Sequence, residues 1–295
     1  MAGALILPFM IPLDWVHILI QIWIMALFAS SLNLLLGYTG LIPFGQAAFF
    51  GVGAYTCALI ILKTSLPFFV AILASPFMAA LFGFVIGWFC VRLTDIYFAM
   101  LTLAFGEMVF AIIFKWYSFT GGDDGLVQIP IPELFASMNN YYYFVLAIFL
   151  GCLYMLRLLV HAPFGKTLQA IRENPERVEF LGVNVKRYKL IVFTIAAFFS
   201  GLSGALFCCF NHNVFPGYAG WAMGAEPLLM CVIGGIYNFL GPLFGAIIFT
   251  VLEKIIVTRT EYWPFFMGAI IIVIVIYFRG GTFPFIQKTL QQKDH

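Results

Sequence analysis

The sequence predicts an all-α fold, a polytopic bundle of membrane helices, and three observations support that prediction. Hydrophobic residues make up 63% of the 295 residues and charged residues only 9%. A soluble domain carries about 25% charged residues, so this chain has too few polar side chains to cover a water-facing surface. The mean hydropathy is +1.03, and the apolar residues form continuous runs of about 20, which is the length of a membrane-spanning helix.

Six continuous apolar runs are predicted to be membrane helices. Their residues do not alternate between apolar and polar, as the strands of a transmembrane barrel would. In chain order the runs are Val16–Gly37, Phe68–Val91, Tyr97–Trp116, Tyr141–Val160, Leu190–Phe210 and Pro264–Phe278.

Two further apolar segments, Gly37–Thr56 and Gly234–Thr250, are interrupted by glycine. Interrupted helices in corresponding parts of two halves point to an internal repeat with a pathway between the halves. The candidate break positions are Gly37, Gly40, Gly45, Gly234, Gly235 and Gly241. Close packing of helices is the alternative role for the glycines of the first segment, Gly37, Gly40, Gly45, Gly51 and Gly53. The sequence predicts about eight membrane elements, and it leaves open whether each interrupted segment crosses the membrane.

The basic residues predict the orientation of the chain. Seven of the fifteen Lys and Arg residues lie between Arg157 and Lys189, and cytoplasmic loops carry the excess of Lys and Arg in membrane proteins. We therefore expect a cytoplasmic loop at 161–189 and, one helix earlier, an outer loop at 118–140. We interpret 1–295 as one transmembrane domain, and the charges leave the side of its N-terminus open.

The cytoplasmic loop contains Gly165-Lys166-Thr167, which could end a nucleotide-binding loop. Such a loop needs Gly-x-x-x-x-Gly-Lys-Ser/Thr after a strand. Here the first glycine position is Val160, and the preceding segment is a predicted membrane helix. The nucleotide-binding interpretation therefore fails.

The same loop is instead predicted to form two short amphipathic helices. Pro163 fits the start of the first helix, Pro175 separates the two, and Gly182 fits the end of the second. Helical spacing places four apolar side chains on roughly one side, Leu168, Ile171, Val178 and Leu181. A solvated loop needs no apolar stripe, so we expect this element to dock on another protein. A solvated loop that merely follows the charge rule is the alternative.

The sequence predicts neither catalysis nor a metal site on this chain. Its six cysteines lie in apolar runs and are expected to behave as small buried hydrophobes. Its four histidines are scattered and have no partner at metal-ligand spacing. We therefore expect no cofactor on this chain, and an integral-membrane enzyme is disfavoured.

Several motifs together resemble one transporter family. They are AIRENPERVEFLGVNVKRYKL (170–190), LNLLLGYTGLIPFGQAAFFGVGAYT (32–56), IYFAMLTLAFGEM (96–108), TGGDDGL (120–126) and GGIYNFLGPLFGA (234–246). The combination is similar to the LivM-type permease subunits of branched-chain amino acid ABC importers, and TGGDDGL favours the amino-acid branch over sugar permeases. The chain departs from the family at Pro43, where a serine is common, and around Arg177-Val178, where an alanine is common. These departures weaken any inference about which amino acid is preferred.

The resemblance implies a division of labour in a bacterial cytoplasmic (inner) membrane. Two permease subunits, usually LivM-like and LivH-like paralogues, form the pathway and perform no covalent chemistry. Two separate ABC ATPase subunits bind ATP and Mg²⁺, and an external substrate-binding protein delivers the solute. The cytoplasmic loop would be the coupling loop, and its expected ATPase contacts are Glu173, Asn174, Arg177 and Gly182.

Polar side chains inside apolar helices are costly in lipid and often mark a transport pathway. The candidates are Asn33, Tyr38, Gln46, Tyr55 and Glu107. For Asn33 and Gln46 the alternative is hydrogen bonding between helices, worth about 0.6–2 kcal/mol. For Glu107 it is a structural or subunit-contact role. On the outer loop, Asp123 and Asp124 either dock the binding protein or solvate the loop.

The resemblance implies that the chain forms one half of the pathway of an importer for branched-chain amino acids. Permeases for urea, short amides or other amino acids look much alike and stay as alternatives. An ion-coupled secondary transporter would share the composition. It would, however, more often carry charged residues in mid-helix, and it would need no docking element.

Overall fold

A computed structural model describes residues 13–64, 66–260 and 262–277, which form a bundle of α-helices. Six of these helices are long and apolar enough to cross a membrane, with spans at Trp15–Thr39, Gln46–Lys63, Phe68–Cys90, Ile96–Lys115, Met138–His161 and Val185–Asn211. The helices are α1 (Leu13–Thr39), α2 (Gln46–Lys63), α3 (Phe68–Cys90), α4 (Asp95–Lys115), α5 (Tyr117–Thr120), α6 (Glu133–Ala136), α7 (Met138–His161), α8 (Pro163–Glu173), α9 (Pro175–Phe180), α10 (Val185–Asn211), α11 (Trp221–Gly234), α12 (Gly241–Val257) and α13 (Trp263–Tyr277).

The predicted all-α membrane fold is confirmed. Each of the six predicted runs corresponds to a helix. Phe278, the end of the last run, lies outside the described residues. The first interrupted segment contains α2, whose 18 residues are enough to span a membrane. The second segment joins the shorter helices α11 and α12, of 14 and 17 residues.

The two ends of the bundle are named here from the charge rule. The end with the basic loop is the cytoplasmic end, and the opposite end is the outer end. Gly40, just after α1, packs on the stem of Arg172 in α8, so α1 finishes at the cytoplasmic end. At the outer end His17 of α1 packs on Phe210 of α10, with ring centroids 4.3 Å apart. The described part of the chain therefore starts at the outer end, a point that the charges left open.

The core is built around α10, which packs on α2 and α3. Small residues permit this, because helices in a membrane associate through close backbone approach. A Cβ added at Gly53 would overlap the backbone of Gly201, and one added at Gly204 would overlap the carbonyl of Phe50. Here the glycines have the packing role that the sequence offered as an alternative.

The outer loop is tied to the end of α10 by a short strand pair. β1 (Leu126–Val127) pairs antiparallel with β2 (Asn213–Val214). The loop is further held by the Ile129 amide, which donates to the His212 carbonyl at 3.0 Å.

Candidate functional site

The first helix break lies between α1 and α2, at residues 40–45. Gly40 has a φ of +75°, a conformation that glycine adopts at little cost, and Gly45 caps the start of α2. The prediction that Gly37 is a break position is wrong, because Gly37 lies inside α1, which continues to Thr39. One glycine weakens a helix by only about 1 kcal/mol, and packing against a neighbour explains its presence better than a break does.

The second helix break lies between α11 and α12, at residues 235–240. Gly234 is the last residue of α11, Gly235 has a φ of +111°, and Gly241 is the first residue of α12. A Cβ added at Gly234 would overlap the Gly241 carbonyl. The glycines therefore allow α11 and α12 to turn back on each other with their backbones in contact.

The second break and the end of α11 pack against the second half of α1. A Cβ added at Gly37 would overlap the carbonyl oxygen of Ile236. The Asn33 side-chain amide donates to the Asn238 carbonyl at 3.5 Å, and the Cys231 thiol donates to the Ala29 carbonyl at 3.2 Å. Segments about 200 residues apart in sequence are thus joined beside the end of α1.

Arg172, at the end of α8, contacts both breaks. Its guanidinium donates a hydrogen bond to the Gly37 carbonyl. It also lies 5.0 Å from the centroid of the Tyr237 ring, a cation–π distance. Its stem packs on Gly40, where a Cβ would lie 2.9 Å from the Arg172 Cγ. Sequence reasoning assigned Arg172 no role, because nothing in a linear motif shows which backbone carbonyl a side chain reaches.

The two short helices predicted in the basic loop are present as α8 and α9. Pro163 and Pro175 stand at their first positions. The Asn174 side-chain oxygen accepts from the Arg177 amide at 2.9 Å and so caps α9. Gly182 follows with a φ of +84°. Gly165-Lys166-Thr167 lies within α8, so these residues are helical and do not follow a strand.

The apolar side of this element differs from the prediction in one residue. Ile171 and Val178 are buried and form a small cluster with Val185. Leu181 was expected to join them, but it is 78% exposed. Helix α9 ends at Phe180, so Leu181 lies beyond the helix and the helical spacing counted from Val178 does not apply to it. Phe180, which the sequence reasoning passed over, is 92% exposed.

The four predicted ATPase contacts all lie at the exposed tip of the loop, Glu173–Gly182. Glu173, Asn174, Arg177 and Gly182 are each solvent-exposed. The Asn174 side chain is already engaged as a helix cap. A Cβ added at Gly182 would meet nothing within 4 Å. The tip, called here the coupling tip, therefore presents Glu173, Arg177, Phe180 and Leu181 to solvent.

Glu107 lines a cavity of about 490 Å³ between the first break, α4 and the start of α11. The other lining residues are Phe44, Leu103, Trp221 and Ala225. One carboxylate oxygen of Glu107 is buried and has no hydrogen-bond partner among the described residues. A Cβ added at Gly45 would overlap the Thr102 carbonyl, which explains how the break comes so close to α4.

The other candidate pathway residues lie elsewhere. Gln46 is fully buried, and neither side-chain amide atom has a partner in the described part of the chain. Asn33 is buried where α1 meets the second break, and Tyr38 is half-buried in the last turn of α1. Tyr55 lines a separate apolar groove of about 390 Å³ between α2, α3 and α4. The five candidates thus do not form one site.

Asp123 and Asp124 lie exposed in a tight turn of the outer loop, Gly122–Asp124. The Tyr117 hydroxyl donates to a carboxylate oxygen of Asp124 at 2.8 Å. This hydrogen bond raises the pKa of Tyr117. Of the two acids, Asp124 is engaged within the loop, and no described residue forms a hydrogen bond or ion pair with the Asp123 carboxylate.

Comparisons with known proteins agree with this architecture. The chain is 29% identical to the high-affinity branched-chain amino acid transport system permease protein LivM of Escherichia coli (strain K12), over 97% of this chain and 74% of that protein. It is 26% identical to the probable branched-chain amino acid transport permease protein LivM of Methanocaldococcus jannaschii, over 86% of this chain and 88% of that protein. Similarity extends to the autoinducer 2 import system permease protein LsrC of Yersinia pseudotuberculosis serotype O:3, 23% identical over 76% and 66%.

No solved structure shows a significant match to this chain. The sequence profile described as "Branched-chain amino acid transport system / permease component" matches residues 15–275, from the first turn of α1 to the last turn of α13. Because that match covers nearly the whole chain, the protein belongs to the branched-chain amino acid transport permease family.

Proposed function

We propose that this chain forms half of the translocation pathway of an ABC importer for branched-chain amino acids and is driven by separate ATPase subunits. One observation carries the proposal. In a chain of this permease family, the exposed coupling tip is joined through Arg172 to both helix breaks. A protein that pushes on the tip would thereby move the breaks.

The proposed partners are a LivH-like permease, two ABC ATPase subunits and an external substrate-binding protein, in a bacterial cytoplasmic membrane. The coupling tip supports the ATPase contact, because an exposed aromatic beside an exposed aliphatic residue is typical of a docking anchor. Glu173 and Arg177 would give the contact its charge complementarity. This chain would bind no cofactor, and ATP and Mg²⁺ would bind in the ATPase subunits.

The proposed coupling works through differential contacts. ATP binding would draw the ATPase subunits together and displace α8 and α9. Arg172 would carry that displacement to Gly37 and Tyr237, and so to the ends of α1 and α11. A ligand shifts a conformational equilibrium only if it binds the two states unequally. The contacts of Arg172 are therefore proposed to differ between the inward-open and outward-open states.

The cavity at Glu107 is the proposed passage for solute. Phe44, Leu103 and Trp221 offer an apolar wall for an aliphatic side chain, while the buried carboxylate oxygen of Glu107 could accept a hydrogen bond from an ammonium group. A zwitterion also carries a carboxylate, for which the unpartnered amide of Gln46, next to Gly45, is a nearby candidate donor.

Uptake by the reconstituted complex tests this function. The chain, its permease partner, the ATPases and the binding protein would be placed in liposomes and offered labelled leucine, urea or ribose. We expect ATP-dependent accumulation of leucine alone. Accumulation of urea would indicate that the chain is a permease for urea or amides. Uptake driven by an ion gradient without ATPase subunits would overturn the proposal. The charge reversal Glu173→Lys should lower the amount of leucine taken up per ATP hydrolysed in the same assay.

A further inference from the structure

A basic pocket lies at the cytoplasmic end of the bundle, between α3 and α10. It has a volume of about 220 Å³, and none of its lining residues belongs to the coupling tip or lines the cavity at Glu107. Three cations line it, Arg92 from the end of α3 and Lys186 and Arg187 from the first turn of α10. The proposed transport function gives this pocket no role.

All the charged side chains that line the pocket are positive. None of its lining residues is acidic, and none of the three cations forms an ion pair with a carboxylate in the described ranges. The start of the 27-residue helix α10 adds backbone N–H groups, which favour an anion. One of these groups, the Arg187 amide, already donates a hydrogen bond to the side-chain oxygen of Asn184 at 3.1 Å.

An aromatic side chain connects this pocket to the surface that faces lipid. The Arg92 guanidinium lies 5.4 Å from the centroid of the Trp88 ring. Trp88 ends an exposed apolar stripe on α3 at helical spacing, Leu81, Phe84, Val85 and Trp88. Tryptophan is enriched where the hydrocarbon core meets the headgroups. The cations thus lie directly below a surface suited to acyl chains.

We propose that this pocket binds the headgroup phosphate of an anionic phospholipid from the cytoplasmic leaflet, with the acyl chains lying along the α3 stripe. Basic pockets between membrane helices on the cytoplasmic side bind such headgroups. The guanidinium group of arginine is more weakly hydrated than the ammonium group of lysine, and it pairs well with phosphate. The positive-inside rule explains cations at this end, but it requires neither their convergence in one pocket nor the apolar stripe above them. An acidic protein would use the cations and leave the stripe without a function.

Photo-crosslinking of the full chain in phosphatidylcholine nanodiscs tests the proposal. Trace phosphatidylglycerol with a photoactivatable acyl chain should label the α3 and α10 peptides more than phosphatidylcholine with the same acyl chain. Each juxtamembrane cation contributes about fivefold to the affinity for anionic lipid, so removal of all three should cost on the order of a hundredfold. We therefore expect Arg92→Gln/Lys186→Gln/Arg187→Gln to reduce the phosphatidylglycerol labelling to the phosphatidylcholine level.

Lys115→Gln is the matched control, because it removes one exposed cation from the outer end of α4. It should leave the labelling of these peptides unchanged, whereas Arg92→Gln alone should lower it. All three pocket cations are exposed, so the variants should elute as the wild type does in size-exclusion chromatography. Equal labelling by the two lipids, or full labelling of the triple variant, would overturn the proposal. Loss of wild-type labelling upon assembly with ATPase subunits would show that the pocket is a protein contact instead.

Discussion

The guanidinium of Arg172 donates a hydrogen bond to the carbonyl oxygen of Gly37, a residue 135 positions earlier in the chain. Gly37 is also the residue that packs against the Ile236 carbonyl in the second break. Arg172 therefore holds the contact between α1 and the second break from the side of the cytoplasmic loop. This relationship gives a mechanical route from the coupling tip to the membrane helices.

Substitution Arg172→Gln should uncouple the proposed transporter. A hydrogen bond to a charged group contributes about 1.5–3 kcal/mol, so we expect the leucine taken up per ATP hydrolysed to fall at least about tenfold. Arg172→Lys should give an intermediate value, because lysine keeps the charge and loses the planar face that stacks on Tyr237. The measurement is uptake and hydrolysis in the same proteoliposomes.

Lys166→Gln is the control for this experiment, since it removes an exposed charge from the same helix without a contact to either break. Its ratio of uptake to hydrolysis should stay near that of the wild type. If Arg172→Gln kept the wild-type ratio, the route through Gly37 would not carry the coupling.

Substitution Gly37→Ala should destabilise the protein. The added methyl would overlap the Ile236 carbonyl, and overpacking of this kind typically costs about 1–3 kcal/mol. Gly151→Ala is the matched change within a membrane helix, where an added Cβ meets nothing within 4 Å. It should be neutral or stabilising by up to about 1 kcal/mol. The thermal unfolding midpoint in detergent should therefore fall for Gly37→Ala and stay the same or rise for Gly151→Ala, and equal midpoints for the two variants would contradict the close contact.

The outcome at Gly37 illustrates what the sequence could predict. Hydropathy and run length predicted the long helices, because the membrane imposes one length and one kind of backbone pairing. Glycine composition located the two breaks within a few residues. It could not tell that Gly37 is a packing glycine and Gly40 a turn glycine. That difference depends on a carbonyl about 200 residues away in the chain.

The candidate site was predicted less well than the fold. The loop's charges and prolines predicted its two helices, which depend on local rules of capping. The burial of single residues also depends on where each helix ends, and Leu181, which follows the last residue of α9, was placed on the wrong side. The pathway candidates lie in different parts of the bundle for a related reason. The sequence shows that a polar residue lies in an apolar helix, but it does not show which other helices that residue contacts.

Substitution Phe180→Ala should weaken the association with the ATPase subunits. A buried aromatic anchor at the centre of an interface contributes about 2 kcal/mol or more, which corresponds to roughly 30-fold in affinity. Phe265→Ala is a matched control, because Phe265 is also largely exposed but lies at the start of α13, away from the coupling tip. Co-purification from detergent extracts measures the effect. Equal ATPase recovery with both variants would remove Phe180 from the proposed contact.

Substitution Gln46→Met should raise the stability of the isolated chain while lowering uptake. Both amide atoms of Gln46 are buried without a partner among the described residues. Leaving such a group unsatisfied costs about 1–3 kcal/mol, and an apolar side chain of similar shape avoids that cost. If the amide is kept to bind solute, the variant should gain stability and show a higher KM for leucine. A lower unfolding midpoint with unchanged KM would instead assign Gln46 to a structural hydrogen bond.

The two outer acids should differ in their effects on the binding protein. Asp123 has no hydrogen bond or ion pair within the described chain, whereas Asp124 accepts from Tyr117 at 2.8 Å. Charges at the rim of an interface act mainly on the association rate and its salt dependence, so Asp123→Asn should slow association severalfold at low salt and little at high salt. Tyr117→Phe removes the loop hydrogen bond alone. Because that bond raises the Tyr117 pKa above 10.0, its contribution is present below that pH and is lost only at more alkaline pH.

Surface plasmon resonance with the immobilised chain in nanodiscs separates these contributions. If docking uses the free carboxylate, Asp123→Asn slows binding while Tyr117→Phe leaves the association rate near that of the wild type. If the shape of the turn is what the binding protein recognises, the order is reversed, and Asp124→Asn behaves like Tyr117→Phe. Wild-type rates in all three variants would mean that this turn only solvates the outer loop, which is the alternative that the sequence left open.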